Sequence, residues 1–480
     1  MSEEAASAGA VGLKEKNWLG LKYANVKYRS QMLAYPYFIV SVILFVKQII
    51  FGIIIASQYV WPGFLADSLP FNVGRASHLN LLVFWLLLGL IGASYYLIPE
   101  ETESEIYSVK LGYIQLVILL IAGLGSMTSF WFLRDTLGSI GKPFTESPMP
   151  WPWFIAVGMV IFLVNIGVTI LKSRRWNAIS VILLGGMTGL SLLYLFDLYF
   201  FKNLVIDYYW WWWIIHLWVE GSWELIAAAV TAYLLVRLTG VDRHSMYKYL
   251  YAEVALVLFT GIIGTGHHYY WIGTPEYWLT WGAIFSFLEP IPIALMFFDA
   301  MMSMKRKKIQ PYNKVAYYWL GAAAFGHLIG AGVWGIAHTL PQINKWTHGT
   351  QITASHGHAA FFGAFATIVL ASIYYMVPKM KGLKSIREGT GLTSLILMCT
   401  GMSFMVLAFA FAGIVQTYLW RILGMDFMVV REEYVSFWIF WVWFFGLVFF
   451  LPGVILYVWN FFTLKEKPAD SSTGGGLGGS

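Results

Sequence analysis

Residues 77–98 read SHLNLLVFWLLLGLIGASYYLI, with His78 the only side chain among them that changes charge near neutral pH. A helix of that length rises about 33 Å, enough to cross the roughly 30 Å hydrocarbon core of a bilayer. Working outward, further apolar runs of spanning length lie at about 36–60, 111–134, 151–172, 177–200, 209–238, 249–273, 277–303, 315–340, 352–377, 391–416 and 436–462. Membrane strands alternate apolar and polar residues over segments of about ten, and these runs are longer and unalternating. The expectation is an all-α integral membrane protein, a bundle of twelve transmembrane helices spanning 36–462. A cytoplasmic segment, 1–35, precedes it, and a Gly/Ser-rich tail, 463–480, follows it and is expected to be disordered.

Composition agrees. Of 480 residues, 59% are hydrophobic and 12% charged, about half the roughly 25% charge of a soluble domain. That excludes a soluble enzyme, a nucleic-acid-binding protein and a disordered regulator. The net charge of +6 reports orientation rather than an anionic partner. With twelve crossings, 23 lysines and arginines fall on the side of the two termini and seven on the other, with Lys47 inside the first helix. By the positive-inside rule both termini are cytoplasmic. The N-terminus lacks the apolar stretch of a cleaved signal. The lone Cys399 excludes a disulfide framework and an iron–sulfur cluster, and no CxxCH is present for covalent heme. The long outer connections, about 57–76, 135–150 and 417–435, are rich in Trp, Pro and Phe and suit a surface covered by a partner.

Intramembrane ionisable residues are costly and mark function by default. On this topology His78 opens the second helix from the outer side. His216 lies about two turns into the sixth, and His267, His268, His356 and His358 lie near the outer ends of the seventh and tenth. Six histidines on four helices thus share one depth. His356 and His358 are two residues apart, which rotates them about 200° around the helix. They point to opposite faces and suit two separate centres, with Gly357 leaving room for a flat macrocycle; axial ligation of heme iron is the natural reading. The plainer alternative is a core histidine bonded to a carbonyl. His216 and Glu220 share a helix face, Glu224 continues it, and Gly264 and Gly266 allow close approach at His267 and His268. Three imidazoles and a carboxylate suit non-heme iron better than copper; the alternative for Glu220 is a structural salt bridge. Glu289 sits beside Pro290 and Pro292, which free backbone carbonyls, so it either relays protons or bonds the freed backbone. Asp197, Glu253, Asp299 and Lys47 read as further buried charges without a role.

Five stretches carry a resemblance: SHLNLLVFWLLLGLIGASYYLIPEE around His78, WWIIHLWVEGSWELI around His216, GTGHHYYWIG around His267, FLEPIPI around Glu289 and THGTQITASHGHAAFFGAF around His356. Together they resemble the large catalytic subunit of bacterial nitric oxide reductase, a branch of the heme-copper oxidase superfamily, from about residue 20 to 460. The resemblance implies the twelve-helix subunit I bundle and an inner-membrane location. It implies that His78 and His358 hold a low-spin b heme and that His356 is the axial ligand of a high-spin b heme. His216, Glu220, His267 and His268 would bind the non-heme iron, and Glu224 and Glu289 would be pocket glutamates. Glu146, in KPFTESP, resembles a glutamate that helps hold a calcium.

The implied reaction is 2 NO + 2 e⁻ + 2 H⁺ → N₂O + H₂O. Copper-containing oxidases of the superfamily place a tyrosine where this chain has Glu220, which argues against oxygen reduction. A nitric oxide dismutase alters the iron ligands, and here all four are present. A twelve-helix transporter leaves the aligned histidines unexplained. Quinol-using reductases carry an N-terminal extension, so the expected electron donor is a separate membrane-anchored cytochrome c subunit. The inner halves of the helices show no continuous polar path, so protons are expected from the outer, periplasmic face, without pumping.

Overall fold

The computed structural model describes residues 26–132, 142–383 and 386–465. Most of the proposed N-terminal segment and tail, with Arg134 and Lys384, lie outside the described residues. Among the described residues, twelve helices are long and apolar enough to cross a membrane. They are α1 (Arg29–Val60), α2 (Phe71–Thr102), α3 (Val109–Phe132), α4 (Trp151–Ser173), α5 (Ala178–Asp197) and α6 (Leu204–Thr239). The second half comprises α7 (Arg243–His268), α8 (Glu276–Lys307), α9 (Lys314–Thr339), α10 (Gln351–Met380), α11 (Gly389–Ile422) and α12 (Phe427–Thr463).

Three of these form the centre. In their most apolar windows α2, α6 and α10 are 89%, 78% and 83% buried, against 28–56% for the others. The same three, with α7, carry the six aligned histidines. The outer ring turns residues such as Phe132, Leu258 and Trp459 outward, as a bilayer allows.

Several helices start earlier than hydropathy alone indicates. α2 begins at Phe71, so His78 lies seven residues inside it rather than at its opening. Arg75 extends the helix beyond the apolar run because Glu146 pairs with it at 3.0 Å. α6 begins at Leu204, where Asn203 Oδ1 accepts from the backbone N–H groups of Val205 and Ile206. His216 is therefore about three turns in, not two. The stretch 417–435 is not an open connection. Helical turns run to Ile422 and resume at Phe427, where Asp426 caps the chain. Lys47 is exposed rather than buried.

Two features set the interior spacing. A Cβ built on Gly326 of α9 would lie 2.2 Å from the Gly363 carbonyl carbon of α10. That crossing is closed by backbone, so only glycine fits. Several spans also contain π-helical turns, at Leu217–Trp223, Gly326–Val333 and Phe361–Ala366 among others. Such wide turns recur at functional sites, and the first carries Glu220.

Candidate metal and heme centre

His216, Glu220, His267 and His268 converge, each offering one ligand atom within 4.8 Å of the others. Glu220 Oε1 lies 3.3 Å from His216 Nδ1 and 3.4 Å from Nε2 of both His267 and His268. Ligands about 2.1 Å from a tetrahedral metal stand roughly 3.4 Å apart, so the spacing fits a metal ion. His216 supports this. It is 1% exposed, and neither ring nitrogen has a hydrogen-bond partner of proper geometry. A buried polar atom left so costs stability unless something binds it.

The second Glu220 oxygen is also held. Ser286 Oγ of α8 donates to Glu220 Oε2 at 2.5 Å, which fixes the carboxylate so that Oε1 faces the imidazoles. Trp212 stacks on the His268 ring at 4.6 Å between centroids. A Cβ on Gly282 of α8 would lie 2.4 Å from the His267 backbone nitrogen, so α8 presses directly against the histidine pair.

The histidines of α10 face opposite ways. His358 faces α2, its ring 6.2 Å from that of His78 with 27° between planes. Two imidazoles on one iron, each nitrogen about 2 Å from it, put their centroids roughly 6.3 Å apart. His356 faces α9, with Nδ1 3.2 Å from Gly330 O. The Nδ1 atoms of His78 and His358 lie 2.9 and 2.8 Å from the carbonyls of Gln48 and Ala354. In all three the Nδ1–H faces a backbone acceptor, which leaves the Nε2 lone pair as the atom that can bind a metal. His78 Nε2 is 3.3 Å from the Gln48 amide nitrogen. A Cβ on Gly357 would meet nothing within 4 Å, so open space does adjoin the pair.

Behind the cluster stand the other glutamates. Glu224, 5% exposed, lies with Oε1 3.2 Å from His327 Nε2 of α9. Sequence reasoning missed His327, because GHLIGAGV carries no second ligand to flag it; only the fold brings Glu224 to it. Thr260 Oγ1 of α7 donates to Glu289, so that carboxyl bonds a side chain rather than freed backbone. Glu253 is 0% exposed, and neither of its oxygens has a hydrogen-bond partner. The ring of His338, also unflagged by the sequence, stands 6.0 Å from that of His356.

Glu146 lies apart from this cluster. Its oxygens accept from Arg75 and, at 3.1 Å, from Asn80. Burial pushes its carboxyl above the usual range although Arg75 opposes the shift. Both contacts are donors, which compete with a cation for the same oxygens.

Likeness to known proteins extends over nearly the whole chain. The profile of the family "Cytochrome C and Quinol oxidase polypeptide I" matches residues 32–448. The chain is 42% identical over 455 residues to a nitric oxide reductase subunit of Stutzerimonas stutzeri, covering 91% of this chain and 95% of that protein. It is 23% identical over 416 residues to the Cbb3-type cytochrome c oxidase subunit CcoN1 of the same organism, 78% of this chain and 81% of the other. A cryo-EM structure of a heme-copper terminal oxidase dimer superposes with a TM-score of 0.69 at 16% identity, over 90% of this chain and 83% of that one. Extent and identity together decide the matter: this chain is a multi-pass membrane protein and belongs to the cytochrome c and quinol oxidase polypeptide I family, with the subunit I fold of the heme-copper oxidases.

Proposed function

We propose that this chain is the catalytic subunit of a nitric oxide reductase, joining two NO molecules into N₂O with two electrons and two protons. The observation that carries the reading is the carboxylate set among three imidazoles at 3.3–3.4 Å. A hard anionic oxygen in that set favours iron over copper. The relative 42% identical over nearly its whole length is itself part of a nitric oxide reductase, which supports the same choice over oxygen reduction.

In this reading His78 and His358 hold one b heme, His356 holds a second, and His216, Glu220, His267 and His268 hold the non-heme iron. Metals held there would pass on the electrons and polarise the N–O groups. The protein does the rest. Short helical segments fix the ligands, so that two substrate molecules meet in one small volume and their coupling becomes local. Ser286 keeps Glu220 Oε1 turned to the imidazoles. Glu289, held by Thr260, and Glu224, beside His327, hold protons near the cluster and deliver them as general acids. The electrons come from a membrane-anchored cytochrome c subunit. The lysine and arginine distribution supports cytoplasmic termini and a cluster nearer the periplasmic face of a bacterial inner membrane. A calcium at Glu146 belongs to the same proposal and requires the Arg75 contact to open.

The test is metal content with turnover. One iron in excess of total heme, no copper, and N₂O formed from NO are expected. Copper in place of that iron, with oxygen consumed instead of NO, overturns the reading.

A further inference from the structure

Two wide turns bring Glu224 and His327 together. Glu224 directly follows the π-helical turn Leu217–Trp223 of α6, and His327 lies within the π-helical turn Gly326–Val333 of α9. Turns of this kind are rare and recur at functional sites. Here one adjoins each member of a single buried pair, with Glu224 5% and His327 1% exposed.

The contacts of the pair fix how many protons it holds. His327 Nδ1 lies 2.9 Å from Ala323 O. A carbonyl oxygen only accepts, so Nδ1 carries a hydrogen. Nε2 stands 3.2 Å from Glu224 Oε1 and has no other partner. A bare imidazole nitrogen and a carboxylate oxygen are both acceptors, so one proton belongs between them. The pair is neutral whether that proton sits on the oxygen or on the nitrogen. Without it, two lone pairs would face each other in a buried site, a costly arrangement.

The neighbours make an emptied pair costlier still. The ionisable groups facing Glu224 from α7 and α8 are Glu253 and Glu289, both buried carboxyls. α2 and α5 also pack on α6, and their carboxyls, Glu100, Glu101 and Asp197, stand at the helix ends. From α10 the Phe365 ring covers His327 at 6.0 Å between centroids. Among the described residues no lysine or arginine pairs with Glu224 or His327. Loss of the shared proton would therefore leave a bare negative charge among carboxyls with no cation beside it.

We infer that His327 is a positioning residue for the proposed reaction, one that keeps a single proton loaded on Glu224 before NO arrives. In the delivery step the Glu224 O–H bond breaks and its proton goes to an oxygen of the bound substrate. The pair is left with two facing lone pairs until one proton from water restores it. Only bonds to hydrogen form and break within the pair, and no electron moves there. One of the two protons that the reaction needs is thus stored in advance.

This inference rests on the proposed reductase activity. The test uses the purified complex with its cytochrome c partner, comparing wild type with His327→Gln, which keeps a hydrogen-bonding amide but cannot share a proton. The reduced enzyme is mixed with NO in weak buffer containing a pH dye. Wild type is expected to form its first N₂O ahead of proton uptake. His327→Gln is expected to slow that N₂O by about 10²-fold and to form it no sooner than protons are taken up, with heme absorbance and iron content unchanged. A second readout needs no NO: infrared difference spectra on chemical reduction of the metals, with ring-labelled histidine. One carboxyl band and one imidazole band are expected to vanish together in His327→Gln and again in Glu224→Gln. A His327→Gln enzyme with wild-type timing, or one that keeps unshifted the carboxyl band lost in Glu224→Gln, overturns the inference. If the Gln variant fails to assemble, wild-type timing decides: uptake trailing N₂O supports the store, and uptake leading or matching it refutes the store. If the wild type forms no N₂O, the reductase reading fails by itself and the infrared comparison alone judges the pair.

Discussion

Replacing Ser286 by alanine removes one hydroxyl and leaves the backbone of α8 unchanged. In the wild type that hydroxyl donates to Glu220 Oε2 at 2.5 Å, while Oε1 faces three imidazole nitrogens at 3.3–3.4 Å. A hydrogen bond to a charged group contributes about 1.5–3 kcal/mol, and here it acts on the orientation of a ligand. The loss corresponds to about 10- to 150-fold in affinity for the non-heme metal, in line with the 10–100-fold typical of groups that hold ligands in place. The assay is a chelator titration of the purified complex, with iron per heme read at each point. Ser286→Ala is expected to release iron at a tenfold or lower chelator concentration with both heme signals intact. Ser286→Thr, which keeps the hydroxyl, is expected to stay near wild type. An alanine variant that holds its iron as tightly as wild type refutes the claim that Ser286 aims the carboxylate.

Three further outcomes are expected. Gly52→Ala places a methyl 2.9 Å from His78 Cε1; crowding of that kind costs about 1–3 kcal/mol. On the proposed reading, the absorbance of the heme held by His78 should weaken while iron at Glu220 stays bound. Gly326→Ala meets backbone at 2.2 Å, so α9 and α10 must part by about 1 Å, and a misplacement of that size costs about 10²-fold in rate. Its turnover and melting temperature should both fall; wild-type values in both would show that the crossing is looser than described. His348, on the outer connection before α10, is held below its usual 6.5 by burial and by the Arg421 charge. The unfolded chain then binds more protons than the folded one in the window just below 6.5, so stability rises with pH there and is lost on acidification. His348→Gln should flatten that slope in melting curves, and an unchanged slope would assign it to other groups.

The sequence makes the depth of a residue readable to within a turn or two, but not the side of the helix on which it sits. Twelve crossings follow from run length, and all twelve appear. Helix faces do not follow, because lipid is as apolar as a protein core. Lys47 shows this: nothing in its apolar neighbours reveals that it turns outward. The convergence of His216, Glu220, His267 and His268 was readable because they lie in two short stretches of their helices. His327 and Ser286 were not, since each sits among apolar immediate neighbours with no second ligand beside it, where bonding to its own helix is the usual role. The early starts of α2 and α6 were hidden for another reason. Arg75 and Asn203 end a hydropathy run, yet both sustain the helix through specific partners.

The wide turn at Leu217–Trp223 has a consequence for how this chain tolerates change. A π-helical turn holds about one residue more than an α turn, so it offsets everything after it by roughly 100° around the axis. Glu224 owes its aim at His327 to that offset. Point substitutions within the turn leave the phase of the helix untouched. Deleting any single residue there would restore an ordinary helix of nearly the same length, still apolar and still able to span a bilayer. Yet that helix would turn Glu224 and every side chain beyond it to a different neighbour. Chain length within this one turn, more than the identity of most residues in it, carries the alignment of α6 with the rest of the bundle.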